Sequence, residues 1–316
     1  MAKSGRKVKK SYKLIIFYSL YIIFALFMSY VCINNFFKVK NINIKNGYLK
    51  SEYKALGKEY KVRNMINNGT SDEIKDIVNI DTVTKETKEN VFKLAQSAEK
   101  RIKEGKTNYK IAYITFDDGP YYLTNKVLDV LKNKKVKATF FLIGRGKEKC
   151  YDNAGFDCTT MYAKEAAAGH TLANHTYSHA LSFSPYLYGS TSEFINQVKK
   201  QEQLLLNKTG VKTNIVRFPG GSGSAGRLRT DMINNLRANG YGWVDWTAQD
   251  GDGGYVPSRD AAWNTFTSSI NENIEVILFH DYADVTYSIL SDAIDYLERN
   301  NYILLPLFYE SVMVNK

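Results

Sequence analysis

Hydrophobic positions divide the chain into an apolar run near the N-terminus, a polar middle and a regularly patterned C-terminal part. Residues 14–33 form an uncharged apolar run of 20 residues. A helix of that length is about 30 Å long, enough to cross the hydrocarbon core of a bilayer. Lys and Arg crowd the preceding residues 1–13, which predicts a cytoplasmic basic tail, a transmembrane anchor contacting lipid and an extracellular remainder. A cleaved signal peptide, which would release a secreted protein, is the alternative.

The polar middle, residues 34–107, is rich in Lys and contains no strong motif. Apolar residues recur at helical spacing within 85–106, where Val91, Leu94 and Ile102 mark one stripe. We therefore expect a mainly helical or flexible stalk between the anchor and the rest of the chain. A solvated linker without stable structure is the alternative.

From about residue 108 onwards, short apolar runs alternate with helical patterns. Strands are expected at 111–116, 136–143, 214–218, 276–280 and 302–307, and helices at 125–132, 161–168 and 286–297. Strands that alternate with helices are typical of an α/β fold with a mainly parallel sheet or barrel. Residues 108–316 are accordingly expected to form one α/β domain.

The charge of the chain is unevenly distributed. The net charge is +11, but residues 1–110 hold 23 Lys/Arg against 10 Asp/Glu, and residues 111–316 hold 20 against 22. A nucleic-acid-binding domain would show a basic face. The nearly neutral α/β domain therefore argues against a nucleic-acid partner, and the basic stalk would suit the anionic surroundings of a cell surface.

Two adjacent carboxylates end the first predicted strand, in the hexapeptide TFDDGP at 115–120. Chemistry in α/β folds is concentrated where core strands end. Neighbouring residues there point in different directions, so Asp118 could bind a metal while Asp117 stays free as a base. A solvated Asp-Asp-Gly turn is the alternative.

Three of the four histidines fall within residues 170–179. His175 and His179 are four residues apart, so on a helix or helical turn both imidazoles would project from one face. Two neutral imidazoles and one carboxylate, supplied by Asp118, make a zinc-binding set with positions left for water and substrate. His170 is expected to support the loop through hydrogen bonds rather than to bind metal.

Together, TFDDGP and the following His-Thr-x-x-x-His resemble the polysaccharide deacetylases of carbohydrate esterase family 4, the NodB-homology domain. The resemblance implies a distorted, TIM-like (β/α) barrel over residues 108–316. It also implies a divalent metal on Asp118, His175 and His179, most simply Zn²⁺, with Co²⁺ or Ni²⁺ as alternatives. Asp117 would then be the catalytic base.

The segment RFPGG at 217–221 is similar to the Arg-x-Pro motif of that family, whose arginine pairs with the catalytic aspartate. Arg217 would orient Asp117 and keep it ionised. Pro219 and Gly220 fall at substrate-binding positions. The family often has a bulky aromatic residue where this chain has Gly220, so the backbone N–H is retained and one wall of the groove is lost.

Two more segments complete the resemblance. The segment WVDWTAQDGD at 243–252 is similar to the family's Asp/Trp segment, which places Trp246 at the acetyl pocket. Either Asp245 or Asp252 would be the acid that tunes the catalytic histidine, whereas Asp250 is expected to be solvated. The segment ending in Leu278-Phe279-His280 is similar to the family's Leu-x-His motif, with Leu278 in the acetyl pocket and His280 as general acid.

The resemblance and the expected outward orientation imply hydrolysis of N-acetyl groups on N-acetylglucosamine residues of peptidoglycan. Chitin oligomers, poly-N-acetylglucosamine and acetylated xylan are alternative substrates of the same family. A wall-binding protein without activity is a further alternative, although a pure binder needs neither Asp117 nor His280. A glycosidase is disfavoured, because it would need two carboxylates about 5–9.5 Å apart across the sugar.

Cysteine usage agrees with export. Cys150 and Cys158 flank a polar loop, KCYDNAGFDC, and could close a small disulfide outside the cell. Two free thiols are the alternative.

Overall fold

The computed structural model describes residues 28–29, 99–100, 102–105, 110–145 and 158–307. The elements below belong to the second of two compact units, Gly57–Lys316. The cytoplasmic tail, Cys150 and nearly all of the anticipated anchor and stalk lie outside the described residues. Among those that are described, no helix has both the length and the apolar character needed to cross a bilayer.

The described part of the chain alternates strands with helices. The strands are β1 (Lys110–Asp117), β2 (Thr139–Leu142), β3 (Thr171–Asn174), β4 (Ile215–Val216), β5 (Gly242–Trp243), β6 (Ala248–Gln249), β7 (Ile274–His280) and β8 (Tyr302–Leu304). The α-helices are α1 (Thr124–Asn133), α2 (Cys158–Ala167), α3 (Thr191–Thr209), α4 (Arg229–Ala238), α5 (Arg259–Ser269) and α6 (Asp284–Arg299). A 3₁₀ helix covers Ser222–Leu228.

The strands form one sheet in the order β5-β4-β3-β2-β1-β7-β6, and every pairing in it is parallel. Strand β1 is its centre. It pairs with β7 along one side. On its other side it pairs with β8 at Lys110–Ala112 and with β2 at Thr115–Asp117. Within the described residues no pairing joins β5 to β6, so the sheet is a half-barrel. The expected parallel α/β fold is confirmed, as an incomplete barrel.

Alternation along β1 decides which side chains reach the inside of the half-barrel. Ala112, Ile114 and Phe116 belong to the large apolar cluster that includes residues of α1 and α6. Ile111 and Tyr113 belong to a second, inner cluster. Because successive side chains of a strand point to opposite faces, Thr115 and Asp117 follow the inner set. The strand therefore delivers a carboxylate to the inner face at its carboxyl end.

The expected elements agree with the structure in type and place more than in length. The strand expected at 136–143 is limited to Thr139–Leu142, and the one expected at 214–218 to Ile215–Val216. Helices α3, α4 and α5 were not predicted. Helix α3 nevertheless begins with a sequence signal, because the Ser190 side chain accepts a hydrogen bond from the Glu193 N–H.

Candidate active site

Asp117 and Asp118 diverge at the carboxyl end of β1, as the sequence suggested. Asp117 is the last residue of the strand and is 2% exposed. Asp118 has a left-handed backbone (φ 69°) and its side chain stays partly accessible. A Cβ on Gly119 would lie 2.8 Å from Asp281 Oδ2, so the turn requires glycine. The sharp turn separates the two neighbouring carboxylates.

Asp118, His175 and His179 form a cluster that fits a metal ion. Asp118 Oδ1 lies 3.5 Å from His175 Nε2 and 3.3 Å from His179 Nε2. All three candidate ligand atoms lie within 4.8 Å of one another. Asp118 Oδ1 is buried and makes no hydrogen bond within the described residues. Such an orphaned oxygen facing two imidazoles is the donor set expected of a Zn²⁺ site.

The state of His175 suits a ligand. Burial, and then the neighbouring His179, lower the pKa of His175 to about 3, so it is neutral at physiological pH. Its Nδ1 lies 2.9 Å from the Arg217 carbonyl oxygen. A carbonyl can only accept, so Nδ1 carries the proton and Nε2 presents its lone pair to the cluster.

The expected helical placement of the histidine pair is wrong. His175 and His179 lie in a bend that follows β3, and neither belongs to a helix. Left-handed backbone at Thr176 (φ 66°) and His179 (φ 48°) turns the chain so that both imidazoles face Asp118. His170 lies apart, buried, with its Nδ1 accepting from the Ala138 N–H at 3.1 Å.

Arg217 reaches Asp117 from β4 across the inside of the half-barrel. Its Nη1 donates to Asp117 Oδ1 at 2.8 Å and to Thr115 Oγ1 at 2.7 Å. Its remaining nitrogens donate to the Val244 and Asp245 carbonyl oxygens. The fully buried guanidinium is therefore fixed, and it fixes Asp117 in turn.

Burial has the larger effect on Asp117. It raises the pKa of this carboxyl above the ordinary value, and Arg217 and His280 pull it back only in part. The expected role of Arg217 in keeping Asp117 ionised is thus partly offset by burial. A carboxylate with a raised pKa is the stronger base, which suits proton abstraction.

His280 ends β7 and is held by Asp252. Its Nδ1 lies 2.7 Å from Asp252 Oδ1, and its backbone N–H donates to Asp252 Oδ2 at 2.7 Å. Burial lowers the pKa of His280, but the hydrogen bond and charge of Asp252 outweigh burial and raise it to about 9. The imidazole is therefore protonated at neutral pH. Its Nε2 lies 3.8 Å from Asp118 Oδ2 and so faces the same cleft.

Of the two candidate tuning acids, Asp252 is hydrogen-bonded to His280, whereas Asp245 is hydrogen-bonded to Ser222. The Asp245 carboxylate accepts hydrogen bonds from the N–H (2.9 Å) and the hydroxyl (2.6 Å) of Ser222, in the loop that follows Arg217. The expected solvation of Asp250 is wrong, since Asp250 is completely buried and its Oδ2 lies 2.7 Å from the Thr286 hydroxyl. Sequence spacing alone does not show how the 245–252 segment folds back on β7.

The four candidate substrate-binding residues lie near these groups in different settings. Pro219 is buried, and its carbonyl oxygen accepts from the Tyr188 hydroxyl at 2.7 Å. Gly220 is exposed with φ 69°, and a Cβ there would lie 2.9 Å from Ser224 Oγ. This φ and the short contact disfavour the aromatic residue that the family often has at this position.

The other two candidates, Trp246 and Leu278, have different neighbours. The half-buried Trp246 ring packs against Gly221, whose added Cβ would be 3.1 Å from it. Leu278 is buried on β7, in register with Thr115 of β1 and two residues before His280. Leu278 and His280 therefore share one face of the strand.

Tyr282 was not among the sequence candidates, although it lies beside the site. Its ring centroid is 5.0 Å from that of His280 and 5.2 Å from that of Tyr121. Burial, and then Asp118, raise the pKa of Tyr282, so the phenol stays neutral. No sequence signal distinguishes it from the other tyrosines of the chain. The partly exposed Tyr121 and Tyr282 form an aromatic edge beside the proton donor.

Cys158, the first residue of α2, is disulfide-bonded. Its expected partner, Cys150, lies outside the described residues.

Comparison with known proteins agrees with this geometry. Residues 104–242 match the family model for polysaccharide deacetylase. A peptidoglycan-N-acetylglucosamine deacetylase from Bacillus cereus is 31% identical over 207 residues, which cover 61% of this chain and 70% of that protein. The putative polysaccharide deacetylase YheN from Bacillus subtilis is also 31% identical, covering 61% of this chain and 65% of YheN.

A solved structure is similar over the same region. The catalytic domain of peptidoglycan N-acetylglucosamine deacetylase from Eubacterium rectale superposes with a TM-score of 0.59 and 32% identity. The match covers 66% of this chain and 93% of that domain. Sequence and fold therefore point to the same relatives.

Proposed function

We propose a reaction for this chain from its membership of a family, since it belongs to the polysaccharide deacetylases of carbohydrate esterase family 4, the NodB-type domains. The proposed reaction is hydrolysis of the N-acetyl groups of a cell-surface polysaccharide. The favoured substrate is the N-acetylglucosamine of peptidoglycan. The products are acetate and a free amino sugar. The observation that carries this proposal is that a base, Asp117, and a protonated acid, His280, both lie beside the Asp118 cluster, at 3.6 Å from His175 Nε2 and 3.8 Å from Asp118 Oδ2.

Asp118, His175 and His179 are the residues that would hold a divalent metal, with Zn²⁺ best suited to two imidazoles and one carboxylate. When bound, such an ion acidifies a water molecule and polarises a carbonyl group. The burial of Asp118 Oδ1 without a hydrogen bond and the neutral state of His175 both favour such binding.

Asp117 is placed to take the proton from the attacking water. Arg217 fixes the Asp117 carboxylate through Oδ1, and Oδ2 lies 3.6 Å from His175 Nε2, on the side of the metal cluster. Its raised pKa makes it a competent base. The free backbone N–H of the exposed Gly220 would donate to the oxyanion that forms on the acetyl carbonyl, a contribution of about 3–4 kcal/mol per donor.

His280 completes the reaction by giving its proton to the departing sugar nitrogen. The imidazole is protonated at neutral pH because the hydrogen bond to Asp252 and the negative charge of Asp252 raise the pKa of His280. As the carbon–nitrogen bond breaks, the nitrogen leaves as a neutral amine rather than as an anion. Leu278, Trp246 and Pro219 are proposed to line the acetyl pocket.

We further propose that the protein acts at the outer face of a cell membrane, held by residues 14–33 with a cytoplasmic N-terminus. The apolar run and its preceding basic cluster support this placement. The basic stalk would keep the enzyme close to an anionic wall. A secreted form would result if the apolar segment were cleaved.

Acetate release by the purified full chain in detergent, from peptidoglycan, chitin oligomers, poly-N-acetylglucosamine and acetylated xylan, tests the proposal. Release from peptidoglycan at the highest kcat/KM supports the favoured substrate. Preference for one of the other three polymers keeps the chemistry and changes the substrate. No release from any of them, by protein that binds both metal and peptidoglycan, identifies a wall-binding protein instead.

A further inference from the structure

Behind His280 lies a second buried acid, Asp250, that the proposed mechanism does not use. The Thr286 hydroxyl, near the start of α6, lies 2.7 Å from Asp250 Oδ2 and 2.5 Å from Asp252 Oδ2. Asp250 and Thr286 are 0% and 1% exposed, and Asp252 is 5% exposed. A continuous hydrogen-bonded row therefore runs from Asp250 through Thr286 and Asp252 to His280.

Counting protons along this row favours one protonated carboxyl. A hydroxyl group has one proton and can donate to one carboxylate only. Two ionised carboxylates within hydrogen-bond distance of one hydroxyl would leave one close contact between two lone-pair-bearing oxygens. The contact becomes a hydrogen bond when one of the acids carries a proton and donates it to Thr286 Oγ1.

The distribution of donors decides which acid carries that proton. Asp252 accepts from the backbone N–H through Oδ2 and from Nδ1 of His280 through Oδ1, so both of its oxygens already face donors. Asp250 accepts a backbone hydrogen bond only from the Asp252 N–H, at 3.2 Å. Burial, and then the charge of Asp252, raise the pKa of Asp250 to about 7. In this arrangement a protonated Asp250 donates a hydrogen bond to the Thr286 hydroxyl. The Thr286 hydroxyl in turn donates to the Asp252 carboxylate.

We propose that Asp250 carries a proton in the working enzyme and, through the Thr286 hydroxyl, holds Asp252 in place as the partner of His280; this inference rests on the function proposed above. Asp250 and Thr286 are then positioning residues, since neither touches the reacting atoms. Loss of the Asp250 proton leaves the hydroxyl facing two carboxylates, and repulsion between them displaces Asp252 from His280.

The groups around the row limit what else could titrate there. Asp252 lies on the same loop, and His280 at the end of β7 faces it. Helix α6 contributes Thr286, while α5 contributes Thr265 beside Gly251, and threonine does not titrate in this range. Beyond His280 lie Tyr282 and Asp118. Asp250 is consequently the group of the row expected to change state closest to neutral pH.

Asp250→Asn in the full chain tests the inference, because an amide donates to Thr286 as the protonated acid does but cannot ionise. A carboxyl that is protonated at pH 6 and deprotonated at pH 8 gives a C=O stretch in the difference between the infrared spectra at the two pH values. We expect this band in the native protein and in the control Asp260→Asn, whose carboxylate is exposed, and a weaker band in Asp250→Asn. Asp117, whose pKa is also raised by burial, can contribute to the same band, so the decisive quantity is the loss of band amplitude in Asp250→Asn. An amplitude equal to that of the native protein overturns the inference.

Thermal unfolding gives a second readout that is independent of activity. The folded-state pKa of Asp250 lies above its unfolded value of 3.8, so its contribution to stability is present at low pH and is lost as pH rises towards about 7. The Tm of Asp250→Asn relative to the native protein should therefore rise between pH 5 and pH 8. A difference in Tm that is independent of pH contradicts the inference.

Kinetics link the row to catalysis. The protonated fraction of a group of pKa about 7 falls about tenfold between pH 6 and pH 8. The native kcat should fall over that range, and the fall should be absent in Asp250→Asn.

Thr286→Val should lower kcat without changing KM, and Thr286→Ser should restore it. Parallel pH profiles for the native protein and Asp250→Asn, or a Thr286→Ser variant as impaired as Thr286→Val, overturn the positioning role. If no substrate is turned over, the infrared and Tm results still decide whether Asp250 is protonated.

Discussion

Asp117 and His280 are direct partners across two neighbouring parallel strands, β1 and β7. Both are the last residues of their strands, and both belong to the inner face. The register of one strand pair therefore places a base and a protonated acid at the same edge of the sheet. Asp118 follows Asp117, with Oδ1 towards the histidine pair and Oδ2 3.8 Å from His280 Nε2.

This arrangement predicts that the two adjacent aspartates have separable roles. Asp118→Asn should lose the divalent metal, because it removes the carboxylate of the cluster. Asp117→Asn should keep the metal and lose turnover by at least about a hundredfold, the usual contribution of a general base. Metal content after dialysis, measured by elemental analysis beside kcat, checks both variants. Metal loss in Asp117→Asn with retention in Asp118→Asn would show that the roles are reversed.

The contact between Asp252 and His280 predicts the alkaline side of the pH profile. His280 acts in its protonated form, and Asp252 raises its pKa to about 9, so deprotonation of His280 should cause a loss of activity near pH 9, separate from the fall between pH 6 and pH 8 that is assigned to Asp250. Without the Asp252 hydrogen bond and charge, the pKa of His280 should fall, because burial lowers it and only the charges of Asp118 and Asp117 remain to oppose burial. Asp252→Asn should therefore lose most activity at pH 8 and retain more at pH 6.

Asp245→Asn is the matched control for that experiment. Asp245 contacts Ser222 rather than His280, so its replacement should weaken the loop after Arg217 without moving the ionisation of His280. The pKa of His280 is best followed by NMR in both variants. An equal downward shift in Asp245→Asn would show that Asp245 also tunes His280.

Arg217 predicts a large effect on stability. Its guanidinium and the Asp117 carboxylate are both buried, and removing one partner of a buried ion pair typically costs about 3–5 kcal/mol. Arg217→Met should lower the free energy of unfolding by that amount in urea titrations. The control is Arg259→Ala, because its pair with Asp292 is largely exposed and should contribute at most about 1 kcal/mol. Similar losses in both variants would contradict the structural account of Arg217.

Gly119 predicts a local packing effect. A Cβ there would lie 2.8 Å from Asp281 Oδ2 and 3.1 Å from Oδ1, which is closer than atoms approach without displacement. Gly119→Ala should destabilise the fold by about 1–3 kcal/mol, as expected for overpacking. Gly223→Ala is the control, since no atom lies within 4 Å of its added Cβ. Equal unfolding free energies for the two variants would show that the turn tolerates a side chain.

The sequence was informative where chemistry depends on neighbouring residues. Two adjacent acids at the end of a strand must diverge, and the structure separates Asp117 from Asp118 in this way. The likeness of the paired motifs to one family also anticipated which residues would meet in space. The approach of Arg217 to Asp117, 100 positions away, followed from that likeness rather than from the pattern of the chain.

The sequence was less informative where long-range packing decides which side chains contact each other. Asp245 and Asp252 look equivalent in the sequence, and only the fold of the segment against β7 places Asp252 on His280. The burial of Asp250 depends on Thr286, which lies 36 positions away. Helix α3 could have been predicted, because Ser190 and Glu193 have capping spacing and Gly210 ends the helix in left-handed backbone. The bend that carries His175 and His179 depends on backbone angles that no residue type at those positions requires.

The most direct test of the account is the stoichiometry of products from purified peptidoglycan, measured with and without a metal chelator. Acetate and new free amino groups should appear in equal amounts, cease when the metal is removed and return when Zn²⁺ is added back. Equal amounts with full metal dependence are the result that the account predicts. Acetate without new amines would indicate cleavage of an ester, and release that continues in chelator would contradict the role assigned to Asp118, His175 and His179.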